Sequence, residues 1–338
     1  MLNKAVIDLR ILKENAVKVK SKLKKGVKFC AVVKADAYGH GACKIANELY
    51  SLADCFAVAT LEEALELRYA GIDKQILCLT PFFKEDLSRA VNYNLTATVT
   101  AVEQIKMLNA EGIRQGKTVS IHLKYNAGMN RQGVDLNVLK NIISLIERSE
   151  RVELAGVYAH LSAPENKIAL KSQVNKFLLA NNLVKGYNNN AIAHISASGG
   201  FLRGVQADMV RIGILLYGYK PFKSNYISVS PVMKVYAPKI EHRDLSVGEG
   251  ALYGNKIANK PVNFNLVRYG YADGLFRKEV SGLFNNRCMD LSAITEGEQT
   301  QWGYPIMEDA EVWARRYKTI CYEILTKSAL RAEKIYID

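Results

Sequence analysis

Basic, imidazole and hydroxyl side chains stand at the ends of apolar, β-rich runs along this sequence. The run "KFCAVVKA" carries Lys34 near its end, and an unpaired ammonium is costly to bury. Such a lysine either extends to water or takes part in chemistry. Four later runs end in or contain comparable groups: Lys124 with Arg131 behind it, His160, Ser196 with Ser198, and Arg211. The set predicts one functional site in which Lys34 is the reactive amine.

Two segments indicate what this site binds. "SASGG" (196–200) and "RIGI" (211–214) follow or overlap the last two runs. Small residues there let backbone N–H groups approach a phosphate. A phosphate site with a lysine on the first run and an arginine on the last fits pyridoxal phosphate. Lys34 would form a Schiff base with this cofactor, and Arg211 would face its ring nitrogen.

These side chains must be positioned by a repeating unit of strand and helix. The eight runs are "KFCAVVKA", "CFAVAT", "QILCLT", "LTATVT", "VSIHLKY", "ELAGVYAHLS", "AIAHISAS" and "MVRIGILLYG". After the second run, Thr60 and Glu63 predict a capping box, and Gly71 predicts the end of that helix. Thr100 and Glu103 predict a second such helix, which would end at Gly112.

Apolar strands that alternate with helices favour parallel pairing, because each crossover helix covers a face of the sheet. Eight units predict an α/β fold, a (β/α)8 TIM-type barrel over residues 1–222, with its site at the carboxyl ends of the strands. The alternative is an open doubly wound sheet, but no G-x-G-x-x-G follows any run.

Residues 223–338 have a different sequence pattern. Short β-like stretches alternate with Gly, Asn and Pro, as in "SPVMKVYAPKI", "VNFNLVRYGYADG" and "NRCMDLSAI". One helical stretch is predicted near "DAEVWARRYKTICYEILTKS". A second, mainly β domain is the simplest interpretation.

Composition excludes several classes of protein. The 338 residues are 49% hydrophobic and 23% charged, which is ordinary for a globular chain. No run of 18 apolar residues and no signal-peptide pattern appears, so a cytoplasmic protein without membrane contact is expected. The net charge of +13 comes with no nucleic-acid motif, so nucleic acid is not an expected partner. The six cysteines include no C-x-x-C pair, which predicts reduced, buried thiols and no metal site.

At this point the sequence resembles the alanine racemases, which are fold-type III pyridoxal-phosphate enzymes. The matching blocks are "AVVKADAYGHG" (31–41), "HLKYNAGMNRQG" (122–133), "GVYAHLS" (156–162), "HISASGG" (194–200), "DMVRIGILLYG" (208–218), "LYG" (252–254), "GYADG" (270–274), "RCMD" (287–290) and "ICYEIL" (320–325). They cover nearly the whole chain in order.

The resemblance implies roles for individual residues. Lys34 and Tyr253 would be the two catalytic bases, Lys34 taking the proton from the D-enantiomer and Tyr253 from the L-enantiomer. The implied cofactor-binding residues are Lys34, Tyr38, His160, Ser198, Arg211, Gly213, Ile214 and Tyr322. Arg131 and Met289 would bind the substrate, and Lys124 (a carbamate in many members), Tyr271 and Asp290 would support the site.

The resemblance also implies a homodimer with shared sites, in which Tyr253 and Met289 reach the partner subunit's cavity. The implied reaction is the interconversion of L- and D-alanine, which supplies D-alanine for peptidoglycan. The alternatives are a racemase that prefers serine or a broader range of amino acids, a fold-type III decarboxylase, and a pyridoxal-phosphate homeostasis protein built on the barrel alone. The chain departs from the family pattern at Asn126, Ala197, 268–269, the segment after Asp290, and "LRAEKIY".

Overall fold

The computed structural model describes residues 2–274, 276–277, 287–295 and 298–338. After an N-terminal strand, β1 (Asn3–Asp8), the chain forms eight parallel strands, one at each of the predicted runs. They are β2 (Lys28–Val32), β3 (Cys55–Val58), β4 (Ile76–Cys78), β5 (Ala97–Val99), β6 (Val119–Lys124), β7 (Val152–Tyr158), β8 (Ile192–His194) and β9 (Met209–Ile212).

These strands close into a ring. Their two sheets have the orders β4-β3-β2-β9 and β5-β6-β7-β8. A parallel bridge between Leu77 and Thr96 joins β4 to β5. The backbone N–H of Arg211 donates to the carbonyl of Ser196 at 2.9 Å and joins β9 to the segment after β8. The ring is the predicted (β/α)8 barrel.

Helices cover the outside of the ring. They are α1 (Leu9–Ser21), α2 (Lys34–Tyr38), α3 (Ala42–Glu48), α4 (Leu61–Tyr69), α5 (Leu87–Asn92), α6 (Val102–Gln115), α7 (Leu136–Ile146), α8 (Lys167–Tyr187) and α9 (Ser198–Leu202). Every residue of β3, β4 and β5 is buried, as expected for parallel strands between a filled interior and a helical layer.

The predicted ends of α4 are confirmed, and those of α6 are wrong. Helix α4 has the Thr60–Glu63 capping box. Helix α6 is instead capped one residue later, by Ala101 and Gln104 rather than Thr100 and Glu103. It continues through Gly112 to Gly116, whose φ of +65° suits a glycine.

The C-terminal region is mainly β. Its strands are β10 (Met233–Ala237), β11 (Lys239–Leu245), β12 (Gly250–Ala251), β13 (Lys256–Ile257), β14 (Val262–Val267), β15 (Ser292–Ile294), β16 (Tyr304–Met307) and β17 (Ala332–Ile337). The single predicted helical stretch is two helices, α10 (Ala310–Arg316) and α11 (Cys321–Ser328). Lys318 separates them with a φ of +53°, which a helix cannot contain.

Strand β1 was not predicted, and it pairs with C-terminal strands. It lies in the four-stranded sheet β16-β10-β1-β17, antiparallel to β10 and parallel to β17. Ala5 and Ile7 of β1 are fully buried there. Residues 3–8 therefore belong by their hydrogen bonds to the C-terminal sheet, although they fall within the range predicted for the barrel.

All six cysteines are free thiols. Cys30, Cys55 and Cys78 are buried in barrel strands, whereas the other three are only half-buried, so the expectation of uniform burial is wrong. Over the described residues, no helix has both the length and the apolar character of a membrane span.

Candidate active site

A cavity of about 590 Å³ opens at the carboxyl ends of the barrel strands. It is the place at which such barrels hold their active sites. The structure brings most of the predicted site residues to its wall: Lys34, Tyr38, Lys124, Arg131, His160, Ser198, Arg211, Gly213, Ile214 and Tyr322. These side chains therefore converge as expected, but Ser196 does not line the cavity, and its Oγ instead donates to Val205 O at 2.6 Å.

Lys34 enters the cavity directly after β2, at the start of an unusual turn. Residues 35 to 38 all have φ between 51° and 55°, which makes a short left-handed helix. Each such residue costs about 1–2 kcal/mol when it carries a side chain. The turn bends the chain sharply, so Lys34 and Tyr38 both reach the same cavity.

The charge on Lys34 is weakened by its surroundings. Burial lowers the pKa of its amine, Arg131 lowers that pKa further, and Glu63 acts in the opposite direction. An amine with a lowered pKa is a better nucleophile and base near neutral pH. The environment of Lys34 therefore suits imine chemistry.

Tyr38, Ser198 and Gly213 form a cradle in the cavity wall. A Cβ on Gly213 would lie 2.5 Å from Tyr38 Oη, so only glycine leaves this space open. The N–H of Gly213 points toward Ser198 Oγ at 3.4 Å. Burial raises the pKa of the Tyr38 hydroxyl, so it remains a hydrogen-bond donor. Hydroxyl and backbone donors around a space kept free of side chains are what a phosphate requires.

The guanidinium of Arg211 is held in place by three backbone carbonyls and one imidazole. Its two terminal nitrogens donate to His194 O at 2.9 Å, Ala159 O at 2.7 Å and, more weakly, Ile195 O at 3.4 Å. Nη1 also lies 2.7 Å from His194 Nδ1. Its Nε–H takes part in none of the hydrogen bonds among the described residues. That donor is the one left for a ligand.

Two buried histidines extend the network from Arg211 into the barrel. Because Arg211 can only donate, His194 Nδ1 must accept, and Nε2 of His194 then carries the hydrogen. This hydrogen is donated to His122 Nδ1, 2.7 Å away. Burial and the charge of Arg211 lower the pKa of His122 to about 3 and that of His194 well below its ordinary value. Arg211 is therefore the only permanent charge in this chain of side chains.

An aromatic ring supports these groups. The Tyr158 ring stacks on His194 with centroids 4.8 Å apart, and the Arg211 guanidinium lies 5.0 Å from its centroid. The Tyr158 hydroxyl is hydrogen-bonded to Thr98 Oγ1 at 2.8 Å and donates to Leu79 O at 3.2 Å. The ring thus holds the guanidinium and the imidazole in fixed positions.

Lys124 is hydrogen-bonded through its amine to a residue of the loop that follows β6. Its Nζ donates to Gln132 Oε1 at 2.5 Å. Burial, followed by the charge of Arg131, lowers the pKa of Lys124 to about 8. Asn126 orders the loop that carries Arg131, since its Oδ1 accepts from the backbone N–H groups of Gly128 and Asn130. An asparagine at 126 therefore supplies the acceptor that an aspartate would supply.

His160 lies at the cavity wall in its neutral form. Burial, followed by the charge of Arg211, lowers the pKa of His160 to about 3. A neutral imidazole presents a flat, uncharged face to a bound aromatic ring. His160 therefore suits packing against the cofactor better than proton transfer.

Four residues that the resemblance assigned to the site do not line the cavity of their own chain. Tyr253 and Met289 are 64% and 54% exposed on the C-terminal region. Tyr271 begins a short 3-10 turn, and Asp290 pairs with Arg331 at 2.9 Å. None of the four belongs to the cavity wall, which is built from residues up to Pro221 together with Tyr322.

Several residues of the site were missed by sequence reasoning. His122, His194, Tyr158 and Gln132 were given no role, and Glu63 was expected only to cap a helix. The signal for the two histidines was a polar residue in the middle of a short apolar run, as in "VSIHLKY" and "AIAHIS". The other three gave no comparable signal.

Comparisons with known proteins agree with this geometry. A family model described as "Alanine racemase, N-terminal domain" matches residues 7–221. The alanine racemase of Aquifex pyrophilus is 31% identical, over 92% of this chain and 92% of that protein. The alanine racemase of Treponema denticola is 32% identical, over 99% of this chain and 98% of that protein.

Solved structures are similar along the whole length. Alanine racemase from Clostridium difficile 630 has a TM-score of 0.92 at 28% identity, covering 100% of this chain and 96% of that one. Alanine racemase from Bacillus anthracis with bound L-Ala-P has a TM-score of 0.88 at 27% identity, covering 99% and 95%. On these matches, the chain belongs to the alanine racemase family.

Proposed function

We propose that this chain is a pyridoxal-phosphate-dependent racemase that interconverts L- and D-alanine and supplies D-alanine for the cell wall in the cytoplasm. One observation carries the proposal. Lys34, the Tyr38–Ser198–Gly213 cradle and the unused Nε–H of Arg211 line one cavity. Relatives covering more than nine tenths of the chain are alanine racemases, which supports the same reaction.

The residues present fit the cofactor at three points. Lys34 would form the Schiff base, the cradle would receive the phosphate, and Nε–H of Arg211 would donate to the ring nitrogen. Bound pyridoxal phosphate supplies an electron sink that makes the substrate's Cα–H acidic. Since an arginine does not release its proton, Arg211 would leave the ring nitrogen unprotonated. The weaker electron sink that results would favour return of the proton to Cα over transamination.

Two bases on opposite faces account for racemisation. The Lys34 amine would remove or return the proton on the face of the D-enantiomer. Tyr253 of the partner subunit would do so on the face of the L-enantiomer. Arg131 would bind the substrate carboxylate, with Lys124 and Gln132 beside it to fix the loop.

The exposed C-terminal residues support a shared site in a homodimer. Tyr253, Met289, Ile257 and Val247 are each more than half exposed in the single chain. Large apolar side chains that a single chain leaves exposed are often buried in protein interfaces. A second copy that covers them would bring Tyr253 and Met289 to a neighbouring cavity, and it would exclude water from that cavity.

Alanine is the proposed substrate, with serine a weaker one. Tyr322 lines the cavity half-buried, and Met289 would narrow the remaining space from the partner subunit. A narrow apolar pocket accepts a methyl group, and it rejects an added hydroxyl by only about 10²-fold. A long basic side chain such as that of lysine would not fit.

The first test locates the cofactor and the reaction. Borohydride reduction of the protein with pyridoxal phosphate, followed by peptide mapping, should label Lys34. Incubation with L-alanine, L-serine and L-lysine, read by chiral chromatography, should give D-alanine fastest. A label on another residue, or carbon dioxide release without D-alanine, would refute the proposal.

The second test separates the two bases and the two chains. Tyr253→Phe should slow racemisation by about 10²–10⁴-fold while the cofactor stays bound. Tyr187→Phe, at an exposed tyrosine on α8, is the matched control and should leave the rate unchanged. Mixing inactive Lys34→Ala and Tyr253→Phe proteins should restore activity after subunit exchange, because some heterodimers carry one complete site. No recovery after confirmed exchange would contradict the shared site.

A further inference from the structure

Glu63 has one function that is purely structural. It lies in the first turn of α4, where its Oε2 accepts from the backbone N–H groups of Ala59 at 2.6 Å and Thr60 at 3.3 Å. Thr60 Oγ1 in turn accepts from the N–H of Glu63 at 3.3 Å. This reciprocal arrangement is a capping box, which stabilises the start of a helix.

The second oxygen of the same carboxylate is used elsewhere. Glu63 Oε1 accepts from the backbone N–H of Ala35 at 2.7 Å. Ala35 follows Lys34 and is the first residue of the left-handed turn. Ala35 lies beyond the end of β2, so this bond, rather than a sheet hydrogen bond, holds its N–H and fixes the direction in which Lys34 leaves β2.

Capping alone does not require a carboxylate in this protein. Helix α6 has only one half of this arrangement: Gln104 Oε1 accepts from the N–H groups of Thr100 at 2.7 Å and Ala101 at 3.1 Å, whereas Ala101 at the N-cap has no side-chain acceptor. A carboxamide offers one acceptor oxygen, which suffices for that helix. At residue 63 a carboxamide would turn its NH₂ group toward an N–H donor. The negative, two-oxygen group at 63 therefore serves more than the helix.

The charge of Glu63 acts on the amine of Lys34. The other charged groups around this amine are cationic, since Arg131 and Lys124 both lie within electrostatic range. His160 also lies near but is neutral at pH 7. The carboxylate of Asp36, in the turn that follows Lys34, forms an ion pair with Lys334 at 2.8 Å.

We propose that Glu63 is a positioning residue of the racemase, which holds the backbone behind Lys34 and supplies the negative charge that balances the cations around its amine. The inference rests on the proposed function, because it assigns Glu63 a role toward the reactive lysine. It predicts two separable effects of replacing Glu63: a displaced Lys34 and a changed protonation of its amine. If Glu63 served only as a helix cap, its replacement would produce neither effect.

The test measures imine formation between Lys34 and added pyridoxal phosphate in the full-length, cofactor-free protein. The neutral amine attacks the aldehyde carbon, a C=N bond forms, and water leaves. The rate therefore follows the fraction of neutral amine, and its pH midpoint reports the protonation of Lys34. Visible absorbance follows the reaction without any turnover of alanine.

Glu63→Gln should move this midpoint to lower pH, because removal of a negative charge makes the neutral amine more favourable. It should also lower kcat for racemisation by about tenfold or more, since a displaced base is poorly placed for proton transfer. Gln104→Ala is the matched control: it should reduce thermal stability through loss of a cap and leave the midpoint unchanged. Glu63→Ala should combine both effects.

The outcomes separate this inference from the proposed function. If the parent protein forms no imine at Lys34, the proposed function fails. If the parent forms the imine but Glu63→Gln keeps the parental midpoint and rate, Glu63 is only a helix cap and the inference is wrong. A loss of stability in Glu63→Gln equal to that in Gln104→Ala, with no shift of the midpoint, would overturn it in the same way.

Discussion

Alanine at residue 213 should weaken pyridoxal phosphate binding through its contact with Tyr38. The added Cβ would lie 2.5 Å from Tyr38 Oη and 3.0 Å from Cζ, whereas ordinary contacts begin at 3.4 Å. The Tyr38 ring would have to retreat by about 0.9 Å at its hydroxyl. It is held by Tyr217 and Tyr322, whose ring centroids are 4.8 and 5.9 Å away. The easiest retreat is into the cavity itself.

The free-energy cost of the added Cβ should therefore reduce cofactor affinity more than it reduces folding stability. Overpacking of a buried site costs about 1–3 kcal/mol. If the bound phosphate blocks the retreat of Tyr38, that cost appears in the dissociation constant. At 1.4 kcal/mol for each factor of ten, we expect affinity for pyridoxal phosphate to fall by about 5- to 150-fold.

A double-mutant cycle tests the physical cause. Tyr38→Phe removes the hydroxyl that the new Cβ would meet, and it also removes a donor to the phosphate, so it should weaken binding on its own. Adding Gly213→Ala to Tyr38→Phe should then cost much less than in the parent, because the closest atom is gone. Fluorescence titration with the cofactor measures all four proteins, and urea unfolding measures their stability.

Gly186→Ala is the matched control, since a Cβ there has no neighbour within 4 Å. It should bind the cofactor as the parent does. Parental affinity in Gly213→Ala, or losses that add fully in the double variant, would refute the steric argument.

Two further predictions concern stability. Lys124→Met should be more stable than the parent near pH 7, on the order of 2 kcal/mol, because the folded chain pays to protonate an amine whose pKa is about 8. This penalty is complete below pH 8 and disappears as pH rises toward the ordinary lysine pKa of 10.5. The urea midpoints of the two proteins should therefore converge at that pH. A stability difference that does not depend on pH would contradict the lowered pKa of Lys124. Ala35→Gly should stabilise the chain by roughly 0.5–1 kcal/mol, since the exposed Ala35 has a φ of 52° that glycine adopts without strain; a lower melting temperature would show that the turn is not strained.

The barrel and its rim were predictable because they depend on patterns within single segments. A short apolar run bounded by turn residues predicts a buried strand wherever it pairs. Once eight such runs are placed in a barrel, the residue after each strand must lie at one rim. Lys34 and Lys124 followed from that rule alone, whereas Arg211 lies within the last run.

The hydrogen-bonded network was not predictable, because it depends on register between strands. His122 and His194 meet only because β6 and β8 both flank β7 and because Gly156 of β7 leaves room for the His122 ring. A one-residue shift in any of these strands would turn one imidazole outward. Nothing in a single run specifies that register.

The prediction of the helix start failed at α6, where two neighbouring pairs of residues could each provide the cap. Thr100 and Glu103 have the better capping side chains, yet Ala101 and Gln104 occupy the cap. The carboxamide of Gln104 satisfies the N–H groups of both Thr100 and Ala101, which compensates for an alanine at the cap. The capping propensities of the residues therefore did not decide where α6 begins. The hydrogen bonds of the folded chain decided it, and the sequence does not show them.

Strand β1 has a consequence for how this protein is made. Residues 3–8 are synthesised well before their partners in the sheet, which all lie beyond residue 232, and β17 ends at Ile337. At about 5–20 residues per second, a ribosome needs roughly 15–65 s to supply the last partner. During that time Ala5 and Ile7, which end fully buried, remain exposed on the nascent chain. The sheet that contains β1 can therefore be completed only after residue 337 has been synthesised.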